Sequence, residues 1–246
     1  MIPVVEPATR PAWYALGRGG WRDYVTLLHL PYTGWHLSYV IIGGCLAPVV
    51  AWDRLGAVVL AFALAVGVGA HALDELNGRP LRTKIPDRVL VALAAVSIAG
   101  ACALGIAGAV VVEPGLALLI PVGLFLVLAY NLELAGGRFH SDLWFGLAWG
   151  GFPVVNGYAA VAGNLRPVAL FAAAFAVLLS LAQRALSTHV RYVRRRVVAV
   201  RGELELTGGD RVPLDAPRLT GAAETGLRLL SLATVALAAT LVVYRL

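Results

Sequence analysis

The amino-acid sequence predicts an all-α, polytopic integral membrane protein with about seven transmembrane helices. Of its 246 residues 59% are hydrophobic and only 14% are charged, and the mean hydropathy is +0.79. A membrane-spanning helix needs about 20 consecutive, predominantly apolar residues. Seven stretches meet that need: residues 34–52, 55–76, 89–112, 115–133, 143–163, 167–186 and 225–245. The two cysteines, Cys45 and Cys102, both fall inside apolar stretches, so neither a disulfide framework nor a cysteine-rich zinc site is expected.

The distribution of positive charge predicts the orientation. Apart from Arg54, Arg166 and Arg245, all of the 20 lysines and arginines lie in the N-terminal segment or near the second, fourth and sixth loops. Loops rich in Lys and Arg stay in the cytoplasm, so the N-terminus is expected there, at a plasma membrane of bacterial type. The basic pI of about 9.7 is then accounted for by attraction to anionic lipid, without nucleic-acid binding.

Two regions are predicted around and within the membrane domain. Residues 1–30 are expected to form a loose or surface-lying cytoplasmic tail, and residues 31–246 the transmembrane domain. Within that domain, residues 187–224 form a long, basic cytoplasmic loop. The loop should open with an amphipathic interfacial helix, and the alternation from Gly202 to Leu206 followed by Gly208-Gly209-Asp210 predicts a small hairpin.

The strongest candidate site is the run from His71 to Lys84 at the inner end of the second apolar stretch. His71, Asp74 and Glu75 share one helical face, because positions i, i+3 and i+4 are neighbours. Ionisable groups at the edge of a bilayer are costly unless they are paired or used. Carboxylates bind Mg²⁺ together with substrate phosphate oxygens, and the cations that follow suit a phosphate clamp: Arg79, Arg82 and Lys84. A charged helix end beside a basic loop is the structural alternative.

A second candidate segment follows the fourth stretch. It combines acids, an imidazole and an arginine at the ends of two helices, with Gly136-Gly137 between them: Tyr130, Asn131, Glu133, Arg138, His140 and Asp142. Asp142 also suits the start of a helix, where capping would explain it without any function. His36, at the same depth in the first stretch, and Arg184, near the end of the sixth, are weaker candidates for catalysis and phosphate binding.

These residues resemble those of a known family. The pattern His71-x-x-x-Glu75-x-x-x-Arg79-Pro80-Leu81 is similar to the first aspartate-rich motif of the UbiA-type intramembrane prenyltransferases, Asn-x-x-x-Asp-x-x-x-Asp with an Arg-Pro-Leu-like continuation. Tyr130-Asn-Leu-Glu133, followed by Gly146-Leu-Ala-Trp-Gly-Gly151, resembles the family's tyrosine-bearing helix end and its glycine-rich next helix. The resemblance covers roughly residues 27–245 and implies a UbiA-like bundle around a lipid-accessible cavity.

The resemblance implies Mg²⁺-assisted ionisation of an isoprenyl diphosphate, with prenyl transfer to a lipophilic acceptor or cyclisation. His71, Glu75 and Arg79 stand where the family has Asn, Asp and Asp. The second aspartate-rich motif is replaced by a basic segment around Arg184. Asp74 and Glu75 are therefore the expected metal ligands, with Glu133 and Asp142 supplying a second metal position; His71 and His36 complete the catalytic set. Candidate aromatic walls for an allylic cation are Trp35, Tyr39, Phe145, Trp149, Phe152 and Tyr158.

Two alternatives remain open at this stage. A transition-metal site for lipid chemistry could use imidazoles and carboxylates from both segments: His36, His71, Asp74, Glu75, Glu133, His140 and Asp142. The other alternative is a degenerate homologue that binds membrane lipid without turnover. With any of these functions, the protein could assemble as a homo-oligomer.

Overall fold

A computed structural model describes residues 11–246 as a bundle of long helices with one small hairpin. In chain order the described helices are α1 Trp21–Leu27, α2 Leu30–Cys45, α3 Trp52–Leu76, α4 Asp87–Val111, α5 Pro114–Asn131, α6 over residues 142–162, α7 Pro167–Arg196 and α8 Ala216–Arg245. A single helical turn, Leu134–Gly137, separates α5 from α6, and β1 Glu203–Glu205 pairs antiparallel with β2 Arg211–Pro213.

Five of the described helices are long and apolar enough to cross a membrane, namely α3, α4, α5, α7 and α8. These correspond to five of the seven predicted stretches, so the prediction of an all-α membrane bundle is confirmed at that level. The predicted first and fifth spans correspond to α2 and α6, which are not among the five. α2 has 16 residues, fewer than the about 20 that an untilted span requires.

Local sequence explains where the helices begin and where two of them widen. Asp215 accepts a hydrogen bond from the Arg218 backbone N–H at the start of α8, and proline occupies the first turn of α5, α7 and α8. Glycine-rich segments inside α3 and α6, Ala63–Ala70 and Gly146–Gly151, adopt π-helical turns. Such turns offer backbone carbonyls to side chains and occur frequently at functional sites.

Glycine allows α2 and α6 to cross at close range. A methyl group in place of the Gly43 hydrogen would overlap the Val154 carbonyl oxygen, and one on Gly157 would overlap the Val40 carbonyl oxygen. On the other side of α6, a Cβ on Gly150 would lie 2.5 Å from the carbonyl oxygen of Ala176 in α7. Membrane helices lack a hydrophobic driving force toward one another, so close backbone approach at small residues is a main source of their association.

Side chains join the helix ends into two groups. At what we call the polar end, which contains the connections 77–86, 132–141 and 197–215, the Asn77 side-chain amide donates to the Asn131 carbonyl at 3.2 Å. At the opposite end, Arg54 donates to the Val161 carbonyl at 3.4 Å and Arg245 donates to the Ala47 carbonyl. Both candidate segments of the sequence therefore lie at the polar end.

Two features differ from the sequence-based expectation. α7 continues without interruption to Arg196, so the basic run belongs to the same helix as the sixth apolar stretch and not to a separate interfacial helix. With α8 starting at Ala216, the connection is confined to residues 197–215, where the predicted hairpin is confirmed. Residues 1–10 of the predicted tail lie outside the described residues, whereas Pro11, Ala15 and Leu27 are buried against the bundle.

Candidate functional site

Glu75 organises the loop that follows α3. Its side chain is fully buried, and its two carboxylate oxygens accept hydrogen bonds from the backbone N–H groups of Leu81, at 2.9 Å, and Thr83, at 2.7 Å. The loop can turn this tightly because Gly78 adopts a positive φ of 90°. Glu75 therefore holds the loop in shape, and both of its oxygens are occupied.

The three loop cations predicted as a phosphate clamp differ in their surroundings. The Arg79 guanidinium donates to the Ile85 carbonyl at 2.6 Å and pairs with Asp87, so it is used within the loop. Arg82 and Lys84 are exposed, and the Lys84 backbone N–H donates to the Asp23 carboxylate at 2.8 Å. That last bond ties the loop to α1.

Arg184 is the centre of the second candidate segment. Its guanidinium donates to the Tyr130 hydroxyl, pairs with the Asp142 carboxylate and donates to the His140 carbonyl at 3.3 Å. It also lies 5.1 Å from the centre of the Phe145 ring. Arg184 thus fastens α7 to the end of α5, to the 132–141 connection and to the start of α6.

Of the other predicted residues near Arg184, some make contacts inside the protein and the others are exposed. The Tyr130 ring stacks on His140 with centroids 4.3 Å apart, and the His140 Nδ1–H donates to the Tyr130 carbonyl at 3.1 Å. Asn131 is buried, and its amide donates to the Val127 carbonyl. Glu133 lies 3.8 Å from His140 with 55% of its side chain exposed, and Arg138 is exposed.

Asp74 occupies a different environment from its neighbour Glu75. It is half-buried at the end of α3, and within residues 11–246 no side chain or amide forms a hydrogen bond or ion pair with its carboxylate. The arginines that act electrostatically on it are Arg195 and Arg191. Asp74 is therefore a carboxylate without a bonding partner among the described residues. It belongs to a group of polar side chains that we call the polar chamber: Tyr14, His29, His36, His71, Asp74, Tyr130, Arg184, Arg191 and Arg195.

His29 and Tyr14 close another side of the polar chamber. The His29 ring stacks on His71 with centroids 4.1 Å apart, and its Nδ1 lies 2.8 Å from the Tyr14 hydroxyl. Its Nε2 is buried without a partner among the described residues, and the residue adopts a left-handed conformation with φ 45°. Burial lowers the pKa of His29 well below its ordinary value, and the nearby His71, Arg195 and Arg191 lower it further.

Two further histidines form hydrogen bonds to carbonyl groups of the π-helical turns. His71 donates its Nδ1–H to the Gly67 carbonyl at 3.1 Å, and His36 donates its Nδ1–H to the Trp149 carbonyl at 2.8 Å. Because a carbonyl oxygen can only accept, Nδ1 carries the proton in both rings and Nε2 retains its lone pair when the ring is neutral. Each ring is thereby oriented as a potential proton acceptor.

The carboxylates do not match the expected Mg²⁺ arrangement. Glu75 is engaged by the loop, Asp142 is paired with Arg184 and 78% exposed, and Glu133 is largely exposed. No group of three or more His, Cys, Asp or Glu side chains in residues 11–246 is placed to hold a metal ion. The predicted set Asp74, Glu75, Glu133 and Asp142 is therefore not brought together, and the same applies to the alternative His-carboxylate set.

An apolar cavity of about 320 Å³ adjoins this region between α3, α4, α5 and α6. Val66, Val127 and Trp149 line its inner part, and Asp53 and Arg54 mark its opposite end. Trp149 also contacts the polar chamber, since its carbonyl holds His36 and its ring meets the Tyr130 ring at a centroid distance of 5.5 Å. The cavity and the polar chamber therefore share a wall.

The six aromatic residues predicted as cavity walls have different positions. Trp149 and Phe152 line the cavity. Phe145 instead lies beside Arg184 and His36. The other three are fully buried between helices: Trp35, Tyr39 and Tyr158.

Sequence reasoning does not find Tyr14, Arg191 and Arg195. The two arginines stand in a basic run, which is typical of a lipid anchor. An extension of the sixth helix to Arg196 would have revealed them, because spacings of seven and four residues place Arg184, Arg191 and Arg195 on a single helical face.

Comparison with known proteins identifies no relative. The chain matches no protein-family model, and searches of curated proteins and of solved structures also give no significant match. The fold and site define a class only: a helical membrane bundle in which a cationic polar chamber borders an apolar cavity.

Proposed function

We propose that this protein binds an isoprenyl diphosphate within the membrane and ionises it for prenyl transfer or cyclisation. The observation that carries the proposal is the shared wall at Trp149, where a chamber with arginines borders an apolar cavity. An isoprenyl diphosphate has a polyanionic head joined directly to an apolar tail. The two compartments match its two parts.

The dimensions of the cavity suit a tail. Its volume of about 320 Å³ is similar to that of the smaller ligand pockets in proteins. Along α4 its lining runs from Ile98 to Val111, a distance of about 20 Å at 1.5 Å per residue. Apart from Asp53 and Arg54 at the far end and Asn156, the lining is almost entirely apolar, so a charged ligand group belongs at the other end.

The chamber supplies the chemistry expected of a diphosphate leaving group. The C–O bond between the prenyl carbon and the diphosphate breaks, and its electron pair departs with the diphosphate. Guanidinium groups stabilise the charge that develops on those oxygens. The Trp149 ring lies at the boundary, where its π face can stabilise the allylic cation.

The cation is consumed beside Trp149, where the apolar cavity meets the polar chamber. An acceptor nucleophile, or a double bond of the same chain, forms a bond to the cationic carbon, and a proton is then lost. His36 and His71 present Nε2 lone pairs and can take that proton.

One observation favours a second candidate, binding without turnover. Glu75, which stands at a position where the family motif has an aspartate, is occupied by the loop amides. A chain that keeps the polar chamber and the apolar cavity, but not the metal-binding carboxylates, would bind the lipid as a carrier or scaffold. Release of diphosphate separates the two candidates.

The experiment uses purified full-length protein in neutral-lipid nanodiscs with geranylgeranyl diphosphate, and measures binding and diphosphate release. Gly108 lines the cavity, and a Cβ added there would meet no atom within 4 Å, so the side chain of Gly108→Phe should fill part of the space. Displacing about two tail carbons costs about 0.8 kcal/mol each, which weakens binding about tenfold. Val110→Phe, on the exposed side of the same helix, is the matched control and should bind normally.

Absence of binding by the unaltered protein would refute the proposal. Equal affinities for the Gly108 and Val110 variants would contradict the assignment of the tail to this cavity. Binding without diphosphate release, with and without candidate acceptors, would favour the carrier function.

A further inference from the structure

We propose that the diphosphate is neutralised by Arg191 and Arg195, which form a stripe of arginines on α7 together with Arg184, in the place of the divalent cations that the resemblance implies. This inference rests on the proposed function and concerns how the same head group is held. It predicts binding of the ligand in the absence of a divalent metal.

The stripe follows from the continuity of α7. Because the helix runs unbroken from Pro167 to Arg196, residues 184, 191 and 195 fall on one face, spaced by about two turns and one turn. Gln183 and Ser187, also in this stretch, are buried. Arg196, the next residue along, is exposed.

The charges of this stripe converge on the polar chamber. Arg191 and Arg195 both act electrostatically on Asp74, Tyr14 and His29. Arg191 and Arg184 both act on Tyr130. Arg191 and Arg195 therefore lie near the end of α3 and the start of α2, and Arg184 contacts Tyr130 at the end of α5.

Their positive charge is only partly compensated. Arg184 is paired with Asp142, but no carboxylate of residues 11–246 lies within 4.0 Å of a guanidinium nitrogen of Arg191 or Arg195. The Arg195 Nε–H is buried and has no partner in that part of the chain. A buried donor without an acceptor is costly, and a bound anion would supply the missing acceptor.

The chemistry of the groups selects a phosphate-type anion. A guanidinium presents a planar fork that matches two phosphate oxygens, and several forks can share the charge of a diphosphate. The carboxylates needed to hold Mg²⁺ at the same place are engaged elsewhere, as described for Glu75 and Asp142. Among the described residues, Asp74 is the carboxylate on which both Arg191 and Arg195 act, and its negative charge opposes the ligand.

Asp74 makes the proposal sharply testable, because the two modes of binding predict opposite effects of one substitution. If Asp74 holds a metal, Asp74→Asn weakens binding. If arginines hold the diphosphate, Asp74→Asn removes a repulsive charge, and the affinity is unchanged or higher.

The measurement is titration calorimetry of farnesyl thiodiphosphate, a slowly ionising analogue, with full-length protein in neutral-lipid nanodiscs. We expect the same affinity, within about twofold, in EDTA and in MgCl₂, and a loss of about tenfold or more in Arg195→Gln or Arg191→Gln. Arg196→Gln is the matched control and should retain the affinity.

Binding that EDTA abolishes and Mg²⁺ restores, or that Asp74→Asn weakens, would overturn this inference while the proposed function stands. No binding under either condition would instead refute the proposed function itself. Nanodiscs containing phosphatidylglycerol provide a further arm: competition by that lipid would assign the arginines to a phospholipid head group and overturn the diphosphate assignment.

Discussion

Glu75 and Asp74 are adjacent acids for which the structure predicts different consequences of mutation. Glu75→Gln replaces one carboxylate oxygen by an NH₂ group, which then faces the N–H of Leu81 or Thr83. A hydrogen bond to a charged group contributes about 1.5–3 kcal/mol, and the unsatisfied donors add to the loss. We expect the free energy of unfolding to fall by about 2–4 kcal/mol.

The assay is thermal unfolding of the purified variants in detergent, followed by tryptophan fluorescence. For a chain of this size each kcal/mol corresponds to about 2–4 °C, so the midpoint of Glu75→Gln should fall by about 4–16 °C. Asp74→Asn is the matched control, because no described group bonds to its carboxylate, and its midpoint should stay within about 2 °C. An unchanged midpoint in Glu75→Gln would refute the structural role of Glu75.

Three further predictions concern pH, helix contact and orientation. Burial lowers the pKa of His29 in the folded state, so the protein should lose stability as pH falls below about 6.5, where the unfolded state takes up the proton. His29→Asn should reduce that loss, because asparagine tolerates the left-handed conformation of this position. An identical pH profile of stability in the variant would contradict this. Gly157→Ala should destabilise by about 1–3 kcal/mol or more through overlap with a carbonyl of α2, whereas Gly56→Ala, where the added methyl meets nothing within 4 Å, should not; equal thermal midpoints would argue against the close crossing. In a variant whose two cysteines are replaced, Asp53→Cys should react with an impermeant thiol reagent in intact cells and Arg88→Cys should not, as the arginine asymmetry predicts; the reverse pattern would invert the orientation.

The helical part of the fold could largely be predicted from hydropathy, because a long apolar segment has few ways to satisfy its backbone other than as a helix. The prediction fails where that constraint ends. The charges after Leu186 suggest a loop that opens with a separate interfacial helix, but α7 continues to Arg196 because arginines are good helix formers. The boundaries of helices at the membrane surface depend on such local preferences.

The two candidate segments could be located from sequence, but the roles of their residues could not. Helical spacing places Asp74 and Glu75 together, yet only the turn of the following loop decides that Glu75 meets the amides while Asp74 faces the chamber. Similarly, no local pattern pairs Asp142 with Arg184, which is 42 residues away. Long-range contacts of this kind arise from helix packing.

An experimental structure of the protein with farnesyl thiodiphosphate in the presence of EDTA would test the central claim most directly. We predict that the phosphates lie within hydrogen-bonding distance of Arg191 and Arg195, and that the tail passes Trp149 into the cavity beside Gly108. A diphosphate bound through a metal ion at Asp74, or a tail outside the cavity, would contradict the account.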